Sequence, residues 1–401
     1  MKIAVIGGGA AGFFAAISAA EHHPRASVVL FERSNKFLAK VAISGGGRCN
    51  VTHHCPSPSA LVQHYPRGGS FLKKSFTHFQ VRNTVAWFER RGVALKTEPD
   101  GRMFPTSDDS SSITRCLHEA AQRAGVSLRL HEPIDALEPR KGAWWVNGAP
   151  FDRVIVATGG SPKRAGLEWL EALGHAIIDP VPSLFTFNIP NRALNDLMGL
   201  VAPQAIVRIQ GSKRPQTGPV LITHWGLSGP AILKLSAWEA RTLADLNYQF
   251  SVHVNWVGEP NEEVAGARLD GEREAHGKKR ILNACPFDLP RNLWGHLLDQ
   301  TGIGREAIWS ELGKKSRNQL LNTLLNDVHA VRGKTTFKEE FVTCGGVALS
   351  EVHPITLQSR RAPGLYFAGE VLDIDGVTGG FNFQAAWTTG FLAGQLKSAD
   401  H

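Results

Sequence analysis

The sequence predicts an α/β fold, and three stretches predict it. Residues 2–33 read as strand, glycine turn, helix and second strand. Residues 152–162, "DRVIVATGGSP", are an apolar strand running into Thr-Gly-Gly. Near the other end, "PGLYFAGEVLDIDGVTGGFNFQAAW" gives a strand, a Gly-acid pair, a loop closing on two glycines, and a helix. Strands that are apolar throughout, each followed by glycines, suit an α/β sheet covered on both faces.

In the first stretch Gly7, Gly9 and Gly12 fall in G-x-G-x-x-G register, between the apolar strand 3–6 and an alanine-rich helix over 10–20. The first glycine permits a tight turn. The second lets a pyrophosphate approach the backbone, and the third lets helix and strand pack closely, with the helix start at Ala10 and Ala11 facing the phosphates. Glu32 ends the second strand, where an acid accepts both hydroxyls of an adenosine ribose, and Arg33 follows it.

FAD and NAD share this fingerprint, and the end of the chain chooses between them. A strand over 365–368 leads into Gly369 and Glu370, and a helix beginning near Asn382 is entered through Gly379, Gly380 and Phe381. That order holds a ribityl chain and aims a positive helix end at a flavin pyrimidine, which favours FAD. The strand over 153–157 brings Ala157, Thr158, Gly159 and Gly160 as another close backbone approach to the nucleotide. No second strand–GxGxxG–helix occurs in the interior, so NAD(P)H is expected as a donor that docks transiently.

Between these stretches "VPSLFTFNIP", "QAIVRIQG", "GPVLITHWGLSGPAILKLS" and "LNYQFSVHVNW" read as antiparallel strands. Residues 259–337 have a longer, helical period, with "RNLWGHLLDQ" and "RNQLLNTLLNDV" as amphipathic pieces.

The 401 residues, 42% hydrophobic and 20% charged, suffice for two or three globular domains. "MKIAVIGGG" lacks the apolar core and cleavage site of a signal peptide, and no stretch is apolar for long enough to span a bilayer. A cytoplasmic protein with no membrane partner is expected. Cys49, Cys55, Cys116, Cys285 and Cys344 are odd in number with no CxxC pair, so reduced thiols are expected and neither a disulfide framework nor a metal site. The net charge of +8 points mildly to a polyanionic partner, and it is uneven: from Gly277 to Lys338 eleven Lys/Arg face five Asp/Glu.

"AISGGGRCNVT", "GRMFPTSDDSSSI", "THWGLSGPAIL", "CGGVAL" and "PGLYFAGEVLDIDGVTGGFNFQAAW", in this order over nearly the whole chain, resemble the BaiN/RdsA family of FAD-dependent oxidoreductases. The resemblance implies a Rossmann-like FAD-binding domain formed by both chain ends, with an inserted β-barrel-like domain and a small helical domain. On this sequence the parts fall at 1–182, 183–257, 258–340 and 341–401. The resemblance implies hydride transfer from NAD(P)H through flavin to an activated C=C bond. In RdsA-like members that bond is uridine C5=C6 of large-subunit ribosomal RNA, giving dihydrouridine; in BaiN-like members it lies in a small steroid-type enone. A flavin-binding regulator that turns nothing over is the third reading.

The run "AKVAISGGGRCN" is expected to bring its backbone to the flavin, so Lys40, Ser44, Gly45, Gly46, Gly47, Arg48 and Asn50 join the cofactor contacts. Arg48 can pair with a phosphate or substrate anion, and Asn50 can orient a flavin edge or carbonyl. Cys49 is either a proton-transfer group or a small packing residue. His224 is the other candidate acid. Trp225 can stack on a planar substrate, and Arg102 and Thr106, just ahead of a helix start, are candidate substrate contacts.

Overall fold

The computed structural model describes residues 1–335 and 342–398. The chain divides into two compact units, Met1–Ser183 joined by the C-terminal segment from residue 337, and Leu184–Thr336. The boundary expected at 340/341 lies outside the described residues.

The first unit carries a parallel sheet in the spatial order Leu365–Phe367, Arg153–Val156, Lys2–Ile6, Ser27–Phe31, Ser127–Arg129. Val5 lies between Ile155 and Leu30, and the strand from the chain's end pairs with 153–156, so both ends build one sheet. Ile3, Ala4, Val5, Val154, Ile155 and Val156 have no exposed surface. Covered on both faces, they read as unbroken apolar runs.

The helices Ala10–His22 and Phe381–Gly394 pack together backbone to backbone. A Cβ on Gly390 would lie 2.5 Å from the Ala11 carbonyl oxygen, and one on Gly394 2.5 Å from that of Ala15. Four residues apart, the two glycines share a helix face. The Ser18 hydroxyl closes the seam by donating to the Phe391 carbonyl at 2.7 Å. The seam fixes where each helix begins, and both beginnings matter below. A small antiparallel sheet of Thr52–His53, Arg102–Pro105 and Leu95–Thr97 stands behind the glycine run.

The second unit holds seven antiparallel strands in the order Asp327–Arg332, Gln249–Asn255, Val201–Ile209, Gln216–Thr223, Gly226–Ser228, Thr186–Asn188, Lys334–Thr335. The two ends of that order are consecutive pieces of one segment bent at Gly333, whose φ is +106°. The Gly333 amide donates to Tyr248 at 2.8 Å and its carbonyl accepts from Asn188 at 3.1 Å, so one residue joins both edges and the sheet closes as a barrel. Closure leaves no long edge open to another chain.

The helices Glu262–His276, Arg291–Gln300 and Lys314–Asn326 share the barrel's core. Phe187, Val207, Val252 and Trp256 belong to the same buried cluster as Trp294, Trp309 and Leu320. The β-rich and helical stretches expected as separate domains therefore form one unit. One further difference concerns "PAILKLSAW", read above with the strands, which is the helix Pro230–Trp238. Its apolar residues mimic alternation, but Gly229, with φ +95°, and Pro230 in the first turn make a helix entrance.

Candidate functional site

In the first unit, Ala10–His22 and Phe381–Gly394 each start behind a glycine, with no side-chain cap and no acid in the first turn. Helix Ser110–Arg123 of the same unit is capped ordinarily, Asp109 accepting from the Ser111 amide at 2.8 Å. Uncapped starts leave first-turn N–H donors for a ligand and present the positive end of the dipole. The glycines divide by role. Those at 7 and 12 are packing positions, where a Cβ would collide with Ala157 and with the Gly7 carbonyl, whereas Gly9, Gly46, Gly47 and Gly159 face open space within 4 Å.

Glu32 is held at the end of its strand by two backbone donors. Oε2 accepts from the Gly8 amide and Oε1 from the Ser34 amide, both at 2.8 Å. Each oxygen keeps a second lone pair for a ribose hydroxyl. Arg33 is exposed beside it.

The glycine run ends the helical segment Ala39–Gly47, which breaks at Ser44 (ψ 149°). Gly45, Gly46 and Gly47 then follow with φ of +59°, +69° and +85°. Three successive left-handed residues explain the three glycines, since a Cβ is costly there. The Ser44 hydroxyl donates to the Val41 carbonyl at 2.9 Å. Asn50, oriented so that both polar atoms are satisfied, donates to the Thr52 carbonyl at 2.9 Å and accepts from the Gly380 amide at 3.0 Å. It ties the glycine run to the second helix start. Gly369 donates to Thr389 Oγ1 at 2.8 Å, and the Glu370 carboxylate accepts from the Thr343 amide at 2.8 Å and from Lys40 Nζ at 3.0 Å. Ala157 is bound to the Ile6 carbonyl at 2.8 Å, and Thr158 beyond it is exposed. Glycine turn, glycine run, the 157–160 turn and the 369–382 loop thus converge, and their donors, open glycines and placed acid fit FAD.

Several of the expected side chains have partners within the protein. Cys49 has no exposed surface, its thiol is bonded to Ser44, and burial pushes it up to about 12. Burial suits the packing reading of Cys49. Arg48 Nη1 lies 2.7 Å from Glu98 and its guanidinium sits 4.0 Å above the Phe104 ring centre. Arg102 shares Glu98 at 3.1 Å and holds Asp100 at 2.6 Å, so both arginines are committed to carboxylates. Thr106 is an exposed turn residue bonded through its amide to Ala94. The Phe381 ring is buried and the Asn382 amide staples Gly376, donating at 2.9 Å and accepting at 2.8 Å; only their backbone is available to a cofactor.

His224 and Trp225 belong to the second unit. His224 is exposed on the turn after Gln216–Thr223 and lines an open cleft of about 550 Å³ with Asn191, Arg192 and Asn195. Trp225 donates through Nε1 to Thr186 Oγ1 at 3.1 Å, which fixes its ring within that unit.

The sequence reading missed what holds the loop ahead of the second helix. Asp375 is fully buried, forms a two-pronged ion pair with Arg67, and accepts from the Ser183 hydroxyl at 2.7 Å. His53 Nδ1 lies 3.0 Å from the Gly379 carbonyl, and its ring is 4.6 Å from that of Phe381. The His64 ring lies 4.2 Å from Phe381, and the Tyr65 hydroxyl donates to the Phe381 carbonyl at 2.6 Å. These partners lie far apart in sequence. Among the described residues there is no His/Cys/Asp/Glu group suited to a metal ion, and no helix long and apolar enough to cross a membrane.

A family model described as "HI0933-like protein Rossmann domain" matches residues 1–396. The chain belongs to this family. It is 27% identical over 418 residues to the 3-dehydro-bile acid Δ(4,6)-reductase of Clostridium scindens, covering 99% of each chain. It is also 27% identical to the ribosomal RNA dihydrouridine synthase of Escherichia coli, covering 98% of this chain and 96% of that one. Among solved structures it is similar to 3-ketosteroid-Δ4-(5α)-dehydrogenase from Rhodococcus jostii RHA1, with a TM-score of 0.49 at 16% identity over 99% of this chain and 96% of that one. Family and cradle together make the chain an FAD-dependent oxidoreductase.

Proposed function

We propose that this enzyme uses NAD(P)H to reduce the C5=C6 bond of a uridine in large-subunit ribosomal RNA. FAD, when bound, would supply the hydride-transfer chemistry between the nicotinamide and the acceptor carbon. Overall, one hydride and one proton add across the double bond and NAD(P)H leaves as NAD(P)⁺. The protein's part would be to bind and orient: Glu32 would receive the ribose hydroxyls, Ala10 and Ala11 would present amides to the pyrophosphate, and the Gly380–Phe381 helix start, held by Asn50, would turn its positive end to the flavin ring.

The observation that carries the RNA reading is the uneven charge, eleven Lys/Arg against five Asp/Glu from Gly277 to Lys338. A steroid reductase has no use for such a segment, whereas an RNA substrate must have its phosphates neutralised. The equal similarity to a bile-acid reductase supports the second reading, a small enone as acceptor. Mass-spectrometric mapping of dihydrouridine in ribosomal RNA from cells with the gene intact and deleted separates the two. Loss of one site, restored by the wild-type gene and not by Glu32→Ala, is the expected result. An unchanged dihydrouridine map would end the RNA reading and leave the enone.

A further inference from the structure

We propose that, in the second unit, the turn at residues 277–280 and the start of the helix Lys314–Asn326 form one face that grips the RNA phosphate backbone. This rests on the RNA reading above and says where on the molecule that reading is executed. The turn is tied through its backbone to the residues just ahead of that helix: the Ser310 amide donates to the Gly277 carbonyl at 2.8 Å and the Trp309 amide to the Lys279 carbonyl at 3.1 Å. Trp309 is fully buried and anchors the junction, its indole donating to Ala284 at 3.2 Å. The lysines beside these bonds therefore stand on a fixed frame.

The charges of this region fall into two groups. One is neutralised locally: Arg317 with Asp270 at 2.5 Å, Arg280 with Glu306 at 2.5 Å, Arg305 with Asp299 at 2.7 Å, and His276 with Glu272 at 2.5 Å. Of the five acids from Gly277 to Lys338, Asp299 and Glu306 are used in these pairs, while Asp288 and Glu311 are not. The other group, Lys278, Lys279, Lys314 and Lys315, is exposed, and among the described residues none of the four forms an ion pair. Two of them occupy the first turn of a 13-residue helix, where the macrodipole favours acids, so stability did not select them. Four like charges on a rigid frame cost self-repulsion in the free protein and gain by releasing counterions from a polyanion. Lysine, a point charge without planar directionality, suits contact that positions RNA without reading its sequence.

The test is binding of a labelled transcript of large-subunit ribosomal RNA to the FAD-loaded full chain across a salt series. Three proteins are compared: wild type, K278A/K279A/K314A/K315A, and a control with the same kind of change elsewhere, K73A/K74A. Flavin content and melting temperature of each variant confirm that it is folded. The quadruple variant is expected to bind at least about tenfold more weakly, with the slope of log K against log salt reduced by about 3, since each lost phosphate contact removes roughly 0.7–0.9. The control keeps wild-type affinity and slope. If wild type and quadruple variant bind alike, this face is not the grip, although the RNA reading stands. If the wild type does not bind the transcript even at low salt, the RNA reading fails and takes the face with it.

Discussion

Glu32 and Cys49 show how differently two residues of similar promise in the sequence come out. Glu32 stands where the spacing from the glycine turn put it, and two backbone amides aim its carboxylate. Glu32→Ala removes charge-assisted bonds to the ribose, each worth about 1.5–3 kcal/mol, so the FAD dissociation constant should rise about 10- to 100-fold. Flavin absorbance per protein after gel filtration measures this, and full retention would contradict the assignment. Cys49 carried chemical promise because of its neighbours Arg48 and Asn50, but burial is not visible in a run of glycines. Cys49→Ser should keep flavin and stay within a few fold of wild-type NAD(P)H oxidation; a loss of a hundredfold or more with flavin intact would return Cys49 to the chemistry. Its titration acts on folding instead. The thiol ionises near 9.0 when unfolded and about 12 when folded, so across that window the unfolded chain sheds a proton that the folded chain keeps, and stability falls as pH rises. Cys49→Ala should flatten that fall in urea melts taken between pH 8 and pH 11, with Cys55, Cys116, Cys285, Tyr65 and Tyr366, all pushed up by burial, contributing to the remainder.

Elements were legible where periodicity and glycine chemistry agree. The first strand, its glycine turn, the following helix and the last helix all lie within a few residues of where the sequence puts them, because each is bounded by a residue type that only one backbone geometry favours. What the sequence hides is pairing at long range. Nothing in "TTGFLAG" announces that Gly390 and Gly394 lie against the carbonyls of Ala11 and Ala15, although that seam aligns the two helix starts that receive the cofactor. Gly390→Ala drives a methyl into backbone that cannot yield and should cost about 1–3 kcal/mol, read as a lowered melting temperature together with weaker flavin retention. The Arg67–Asp375 pair is a stronger constraint on the loop before the last helix. Asp375→Ala leaves a mostly buried guanidinium without its carboxylate and should cost about 3–5 kcal/mol, whereas replacing both partners with apolar residues should cost less than the single change. Equal losses in the single and double variants would mean that the pair does not act as a unit.

For the whole molecule, charge and topology carry different messages. The parallel sheet from both chain ends explains where a cofactor can be held, and the closed barrel leaves the inserted unit no long open edge. They are silent about the acceptor, since relatives named for a bile acid and for ribosomal RNA match over the same length. The proposed RNA reading rests on the charge distribution, through lysines that are exposed and, among the described residues, without ion pairs at positions 278, 279, 314 and 315. The most direct measurement is single-turnover oxidation of the NAD(P)H-reduced enzyme, without oxygen, by protein-free large-subunit RNA and, in parallel, by a conjugated steroid enone. RNA should reoxidise the flavin and yield one dihydrouridine per flavin, while the enone reacts slowly. Flavin that stays reduced with RNA and is oxidised promptly by the enone would contradict the account.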